Sequence, residues 1–312
     1  IGANSIVGQF ALLVPHVIEG SRLAHHPISI GSNVTIGAHS CVLSGVTIGD
    51  DAIVAEARLE EGRALHRLGE LPGATGAFGE AQRLFAEAGD RVAVHYGRSQ
   101  ELAEEVAASL PGEGHVVVQA DMADAEAVRA MVDSAADGLG RLDVLVNNAG
   151  IFVAHPPLET SYEEWQEAWA QTLATNLTGA ANATFCAVPH MIATGGGAVV
   201  NVSSRGAFRG EPANPAYGAS KAGLNAFGQS MALALAPHDI RVGTVAPGFV
   251  QTEMAREVLE GPGGDAVRNQ SPFGRVAMPE EVASAVLWLA SEGARFSTGT
   301  IVDVNGASYL RS

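Results

Sequence analysis

At 312 residues, with 47% hydrophobic and 17% charged side chains, the chain has the composition of a folded globular protein, with room for one large α/β domain and a smaller neighbour. Its 34 acidic residues against 18 basic ones leave a formal charge of −16, which repels nucleic acid and anionic lipid, and no block of Lys or Arg interrupts that excess. Two cysteines, Cys41 and Cys186, cannot build a disulfide framework or a cysteine metal site. No run reaches the ~18 apolar residues of a membrane span, and the N-terminus lacks the basic flank of a signal peptide. The expectation is a cytoplasmic, metal-free protein that binds neither nucleic acid nor membrane.

The first elements are repeats. Ile30, Ile36, Val42, Ile48 and Val54 recur at a strict spacing of six, and Gly31, Gly37 and Gly49 follow three of them. Ile1, Val7 and Leu13 keep the same period ahead of a loop at residues 19–29 that carries His25 and His26. The pattern resembles the hexapeptide repeat of left-handed β-helix acyltransferases, a resemblance that implies a place for a catalytic base in this loop. The same histidines read equally as exposed loop residues. A stack of about three coils has few neighbours to stabilise it, so residues 1–57 are expected to be a β-helix fragment and not a working acyltransferase. The chain opens at Ile1, inside the repeat, as a fragment or a fused or frameshifted reading frame would. Residues 58–72 mix charge, two glycines and a proline, and are read as a linker.

From residue 73 onward β-rich and helical segments alternate. RVAVHY, HVVVQA, LDVLVN, GAVVNVS, IRVGTVA and GTIVDVN read as strands. QELAEEVAASL, AEAVRAMVDSA, one long helix from Tyr162 to Ile192, AYGASKAGLNAFGQSMALALA and EEVASAVLWLA read as helices. This βαβα rhythm predicts an α/β, Rossmann-like, doubly wound parallel sheet over residues 73–312, with ligands beyond the carboxyl ends of its strands.

Tyr217 and Lys221 are four residues apart on one predicted helix, which puts both on one face. An ammonium beside a phenol favours the phenolate, bringing the tyrosine toward a pKa useful for general acid or base work. Ser204 closes the strand AVVNVSS thirteen residues before Tyr217, where the sheet edge would present its hydroxyl. With NNAG at residues 147–150 and PGFVQT at residues 247–252, this order of motifs resembles the short-chain dehydrogenase/reductase family.

The resemblance implies that Tyr217 gives its proton to a substrate carbonyl oxygen that Ser204 also hydrogen-bonds. It implies further that Lys221 holds the nicotinamide ribose and that Asn176 steadies a relay water. Asn148, Ala149 and Gly150 would line the cofactor groove, and Pro247, Gly248, Val250 and Thr252 would meet the carboxamide. The phosphate loop departs from the family's pattern. In PGATGAFG, Gly73 and Gly79 stand in the first and third glycine places, Ala77 in the second and Pro72 where threonine is usual. The preceding LHRLGEL is too polar for a buried parallel strand.

Arg98, where an NAD-binding fold would carry an acid, suits a 2′-phosphate, and Asp121 with Met122 would flank the adenine, so NADP is expected ahead of NAD. The substrate would be a small-molecule carbonyl or alcohol, or an acyl thioester, and the assembly a homodimer or homotetramer. Residues 254–274, the family's specificity segment, look glycine-rich and mobile. Two rival readings stand beside this one: a cofactor-impaired relic serving as a binding module, and acyltransferase activity from the N-terminal repeats.

Overall fold

The computed structural model describes residues 77–311 and, before them, nine short strands between Ile6 and Val54. The chain divides into two compact units, Ile1–Gly69 and Glu70–Ser312.

In the first unit seven two-residue strands end on the six-spaced apolar residues: β1 (Ile6–Val7), β2 (Leu12–Leu13), β5 (Ser29–Ile30), β6 (Thr35–Ile36), β7 (Cys41–Val42), β8 (Thr47–Ile48) and β9 (Ile53–Val54). They pair in parallel, β1 with β6 and β6 with β9, β2 with β7, and β5 with β8. In the β5–β8 and β6–β9 pairs the partners lie three hexads apart in sequence, Ser29 opposite Thr47 and Thr35 opposite Ile53. The expected loop with His25 is instead largely a hairpin, in which β3 (His16–Glu19) pairs antiparallel with β4 (Arg22–His25) and His16 faces His25. His26 lies outside the described residues.

The second unit contains all six expected strands: β10 (Ala93–Tyr96), β11 (Val116–Gln119), β12 (Val144–Asn147), β13 (Gly197–Val202), β14 (Ile240–Pro247) and β15 (Ile301–Val304). Every pairing among them is parallel, but they form two sheets: a quartet in the order β12-β13-β14-β15 and a separate β10-β11 pair. The residues that would supply a strand ahead of the first helix, LHRLGEL, lie outside the described ones.

Helices cover both faces. On one side α3 (Ala125–Leu139), α5 (Ala180–Thr194) and α6 (Pro215–Leu235) enclose a core of Val128, Met131, Met191, Val199, Ile240 and Val242. On the other, α9 (Pro279–Ala290) lies across β13, β14 and β15 and packs on α1 (Ala77–Glu87), while α2 (Gln100–Ser109) covers the β10-β11 pair. Local chemistry sets the helix ends. Asp124 caps α3 by accepting from Glu126 N and Ala127 N, and Gly140, at φ 78°, ends that helix in the left-handed region.

The long helix expected over residues 162–192 is interrupted. α4 (Tyr162–Leu173), started by a capping box between Ser161 and Glu164, passes into a π-helical turn at Ala174–Gly179 before α5 resumes. Two contacts account for the widened turn: Asn176 bonds to the loop after β12, and bare Gly179 lies against the Met122 carbonyl with no room for a Cβ. The segment expected to be mobile is built instead of α7 (Glu253–Glu260) and α8 (Gly264–Arg268). Its anchors are polar: Arg268 donates to Leu259 O at 2.8 Å and Ser271 to Gly306 O at 2.7 Å. Among the described residues no helix is long and apolar enough to cross a membrane.

Candidate active site

The carboxyl ends of β10, β11, β12, β13 and β14 line one cavity, which also runs along β10 and β12 to their amino ends, where the residues ahead of α1 lie outside the described ones. It is lined by Arg98, Asp121, Met122, Asn148, Ala149, Gly150, Ser204, Tyr217, Lys221, Pro247, Gly248, Val250 and Thr252, so most of the residues singled out in the sequence share one space. Asn176 is buried behind its wall, Gly79 lies in the first turn of α1, and Gly73 is outside the described residues.

Ser204 has extended backbone just past β13, and its Oγ accepts from Gly206 N at 3.0 Å, capping the short turn Arg205–Ala207. Tyr217 is the third residue of α6, and its ring meets Phe152 edge-on at 4.8 Å. Lys221, one turn further, is buried and donates from Nζ to Val202 O at 2.8 Å, 5.8 Å from the centre of the Tyr217 ring. Ser203 ties the same strand to the same helix by donating to Lys221 O.

Burial pushes the Tyr217 phenol above its ordinary pKa; a hydrogen bond with Ser204 pulls the other way, and the Glu211 charge adds to the rise. Burial also brings Lys221 down to about 8. The expected lowering of the tyrosine by Lys221 is therefore absent from this state. The ammonium is spent on Val202 O, and desolvation outweighs the rest.

Asn176 uses its whole side-chain amide. Oδ1 accepts from Ile151 N at 2.8 Å, and Nδ2 donates to Ile151 O at 3.0 Å and to Ser220 Oγ at 3.2 Å. These bonds clamp the loop after β12 to α6. A Cβ on Gly150 would lie 3.3 Å from Asn176 Oδ1 and 3.5 Å from Lys221 Nζ, so glycine keeps a hollow open beside the lysine.

Three contributors received no role of their own in the sequence, although Asn147 opens the NNAG motif. Asn147, paired in register with Asn201, donates to Asn201 Oδ1 at 2.9 Å and Thr184 Oγ1 at 3.0 Å, bracing β12 on β13. His155 is fully buried, and its Nε2 accepts from Ala216 N at 3.1 Å. A backbone N–H only donates, so the ring proton is on Nδ1, which faces Val153 O at 2.7 Å. Pro215 lacks an N–H and Asn214 turns away to Val153 O, so this distant histidine supplies the cap of the Tyr217 helix. Arg205 is buried between the loops. It donates to Gln270 Oε1 and Ser308 Oγ, both at 2.6 Å, and its guanidinium lies over the Phe249 ring. No sequence period marks these roles, because all the partners but Val153 are 37 to 103 positions away.

The fit to a dinucleotide differs between the two ends of the cavity. Beside Lys221, the Gly150 hollow and the Pro247–Thr252 turn, held by Gly248 N to Val304 O at 3.1 Å, suit a ribose and a flat amide. At the other end Arg98 is exposed on the rim, while Asp121 Oδ1 is engaged by Ala123 N at 2.9 Å. Among the described residues no group of three or more His, Cys, Asp or Glu is placed to hold a metal ion.

A parallel α/β sheet with a serine, a tyrosine and a lysine converging at its carboxyl edge defines the class of dinucleotide-type oxidoreductases. A family model described as enoyl-(acyl carrier protein) reductase matches residues 77–307, and the chain belongs to the short-chain dehydrogenase/reductase family. It is 36% identical over 243 residues to a 3-oxoacyl-(acyl-carrier-protein) reductase of Staphylococcus aureus, covering 77% of this chain and 97% of that protein. It is 39% identical to cis-4-hydroxycyclohexanecarboxylate dehydrogenase of Sinomonas cyclohexanicum, covering 77% and 95%. It is 35% identical to D-threitol dehydrogenase of Mycolicibacterium smegmatis, covering 77% and 92%. A second model, described as the hexapeptide repeat of succinyl-transferase, matches residues 27–55.

Proposed function

We propose that residues 73–312 reduce a carbonyl, or oxidise a secondary alcohol, with NADP(H) preferred to NAD(H). The observation that carries this reading is the convergence of Ser204, Tyr217 and Lys221 on one cavity at the end of β13. When bound, the nicotinamide supplies or accepts the hydride. Tyr217 gives its proton to the carbonyl oxygen, and its raised pKa keeps that proton in place at neutral pH. Ser204 donates a hydrogen bond to the same oxygen. Lys221 holds the ribose hydroxyls, and leaving Val202 O for them would bring its charge to bear on the phenol. Asn176 anchors the wall, and by clamping the Ile151 loop to α6 it steadies the place of a relay water. Asn148, Ala149, Gly150, Pro247, Gly248, Val250 and Thr252 seat the nicotinamide end, and Gly73, Gly79, Asp121 and Met122 the rest.

The preference for NADP(H) rests on Arg98, which follows β10 where an acid would have bound a free 2′-hydroxyl. The names of the relatives span acyl thioesters and small alcohols, and both classes remain in the proposal. Exposed Phe185 on α5 and Leu233 on α6, at 79% and 83%, support a homodimer or homotetramer through those helices. Cytoplasmic placement rests on the sparse use of cysteine. Residues 1–57 are read as a remnant of a hexapeptide β-helix, joined by a linker at residues 58–72.

One observation favours a second reading. The glycine loop carries Pro72 and Ala77 where the family's pattern has threonine and glycine, as would follow if the dinucleotide half were impaired and the chain a binding module. NADPH oxidation against a panel of ketones and 3-oxoacyl thioesters tests the enzyme reading. Turnover of any member supports it, and inertness toward all of them favours the relic.

A further inference from the structure

Glu211 lies in the loop before α6 and lines the same cavity as Ser204 and Tyr217. It is half-buried, and among the described residues it forms no ion pair or side-chain hydrogen bond. Arg205, whose charge interacts with Glu211 across the wall, places its hydrogen bonds on Gln270 and Ser308, and Lys221 places its own on Val202 O. The carboxylate's position is fixed by a bare backbone. A Cβ on Gly206 would meet Glu211 Oε1 at 3.0 Å and Ser204 Oγ at 3.3 Å, so the glycine lets the carboxylate and the serine hydroxyl flank one point. The charge also reaches Tyr217, whose proton it helps to retain.

A partly desolvated carboxylate with unfilled acceptor sites gains from a ligand that brings an O–H and loses from one that brings another negative charge. We propose that Glu211 selects the substrate by accepting a hydrogen bond from a hydroxyl on the carbon next to the reacting one. The preferred class is then vicinal diols and α-hydroxycarbonyls, ahead of simple alcohols and ketones, with α-carboxylates last. The inference rests on the proposed oxidoreductase site.

Three alcohols that share a central secondary carbinol separate these cases: glycerol, isopropanol and lactate. Ligand-observed NMR titrations on the full chain should show glycerol bound about tenfold more tightly than isopropanol, as a hydrogen bond to a charged group is worth, with lactate weakest. Glu211→Leu should bring the glycerol-to-isopropanol ratio toward one. Glu211→Gln should keep part of it and improve lactate, and circular dichroism checks that both variants fold. Equal binding of glycerol and isopropanol by the wild type, or a ratio unchanged in Glu211→Leu, would overturn the proposal. Binding needs no turnover, so NADPH oxidation with dihydroxyacetone and acetone separates the two readings. A binding preference without turnover sinks the oxidoreductase and spares Glu211; equal turnover of both ketones sinks Glu211 and spares the oxidoreductase.

Discussion

The two halves of the second unit are held by separate sets of bonds. In β13 the residues Ala198–Asn201 are all buried, and in β14 all but Arg241 are, as parallel strands with helices on both faces should be. β10, β11 and β12 are short Val-rich runs too, and the residues ahead of α1 that the sequence places beside them lie outside the described ones. Among the described residues, the half that would do the chemistry is cross-tied by Asn147–Asn201, Asn176–Ile151 and His155–Ala216, and the half that would hold the adenosine by His95 to Ala120 O, Val92 N to His115 Nδ1 and Gln119 to Gly97 O. Catalytic geometry and cofactor affinity should therefore fail separately when residues are changed.

The largest effect is expected from Tyr217→Phe. It should lower turnover ~100-fold or more, as loss of a general acid does, while NADPH affinity stays nearly intact because the ring and its Phe152 contact remain. A rate above about a tenth of wild type would remove Tyr217 from the chemistry.

Lys221 gives a pH signature. Burial holds it at about 8, against 10.5 when exposed, so between those values the unfolded chain binds the extra proton and stability rises with pH. The gain is at most on the order of 3 kcal/mol at about 1.4 per unit. Urea unfolding from pH 8 to 10 should show the rise in wild type and not in Lys221→Met; identical slopes would mean that the ammonium is solvated.

His155→Ala strips the cap from α6 and leaves the Ala216 N–H and one bond to Val153 O unmade. A loss of about 2 kcal/mol of stability is expected, with a fall in rate and little change in NADPH affinity. A large affinity loss would show that the two halves are coupled after all.

The smallest effect belongs to Glu281, whose carboxylate pairs with Arg275 through two bonds and accepts from Met278 N at the start of α9. Arg275 chiefly holds its pKa down to about 2, so the stabilisation is present above the ordinary value of 4.5 and disappears as pH falls toward 2. Because the pair is largely exposed, Glu281→Gln should cost less than ~1 kcal/mol near neutrality and nothing near pH 2. A difference that persists at pH 2 would assign the effect to packing.

The same contrast explains what the sequence reveals. Every strand from β10 to β15 is a short Val- and Ile-rich run, and Ser204, Tyr217 and Lys221 stand at spacings that a strand end and one helical turn impose, so both are legible locally. The π-turn at Asn176 is not, because its cause is a contact with Ile151 twenty-five residues away. Nor are His155 and Arg205, whose roles exist only once α6 and the C-terminal Ser308 have come to them. α7 and α8 look mobile in sequence because their glycines are visible and their anchors, Arg268 and Ser271, bond to backbone carbonyls that no pattern announces. The polar LHRLGEL and the altered glycine loop belong to the half that would hold the adenosine, and LHRLGEL and Gly73 lie outside the described residues.

The most direct test is calorimetric titration of the full chain with NADPH and with NADH. The account predicts one dinucleotide bound per chain, NADPH more tightly than NADH, with Arg98→Ala reducing the difference and Tyr217→Phe leaving the affinity for NADPH unchanged. No binding of either dinucleotide would contradict it, leaving an intact serine–tyrosine–lysine site with nothing to supply the hydride.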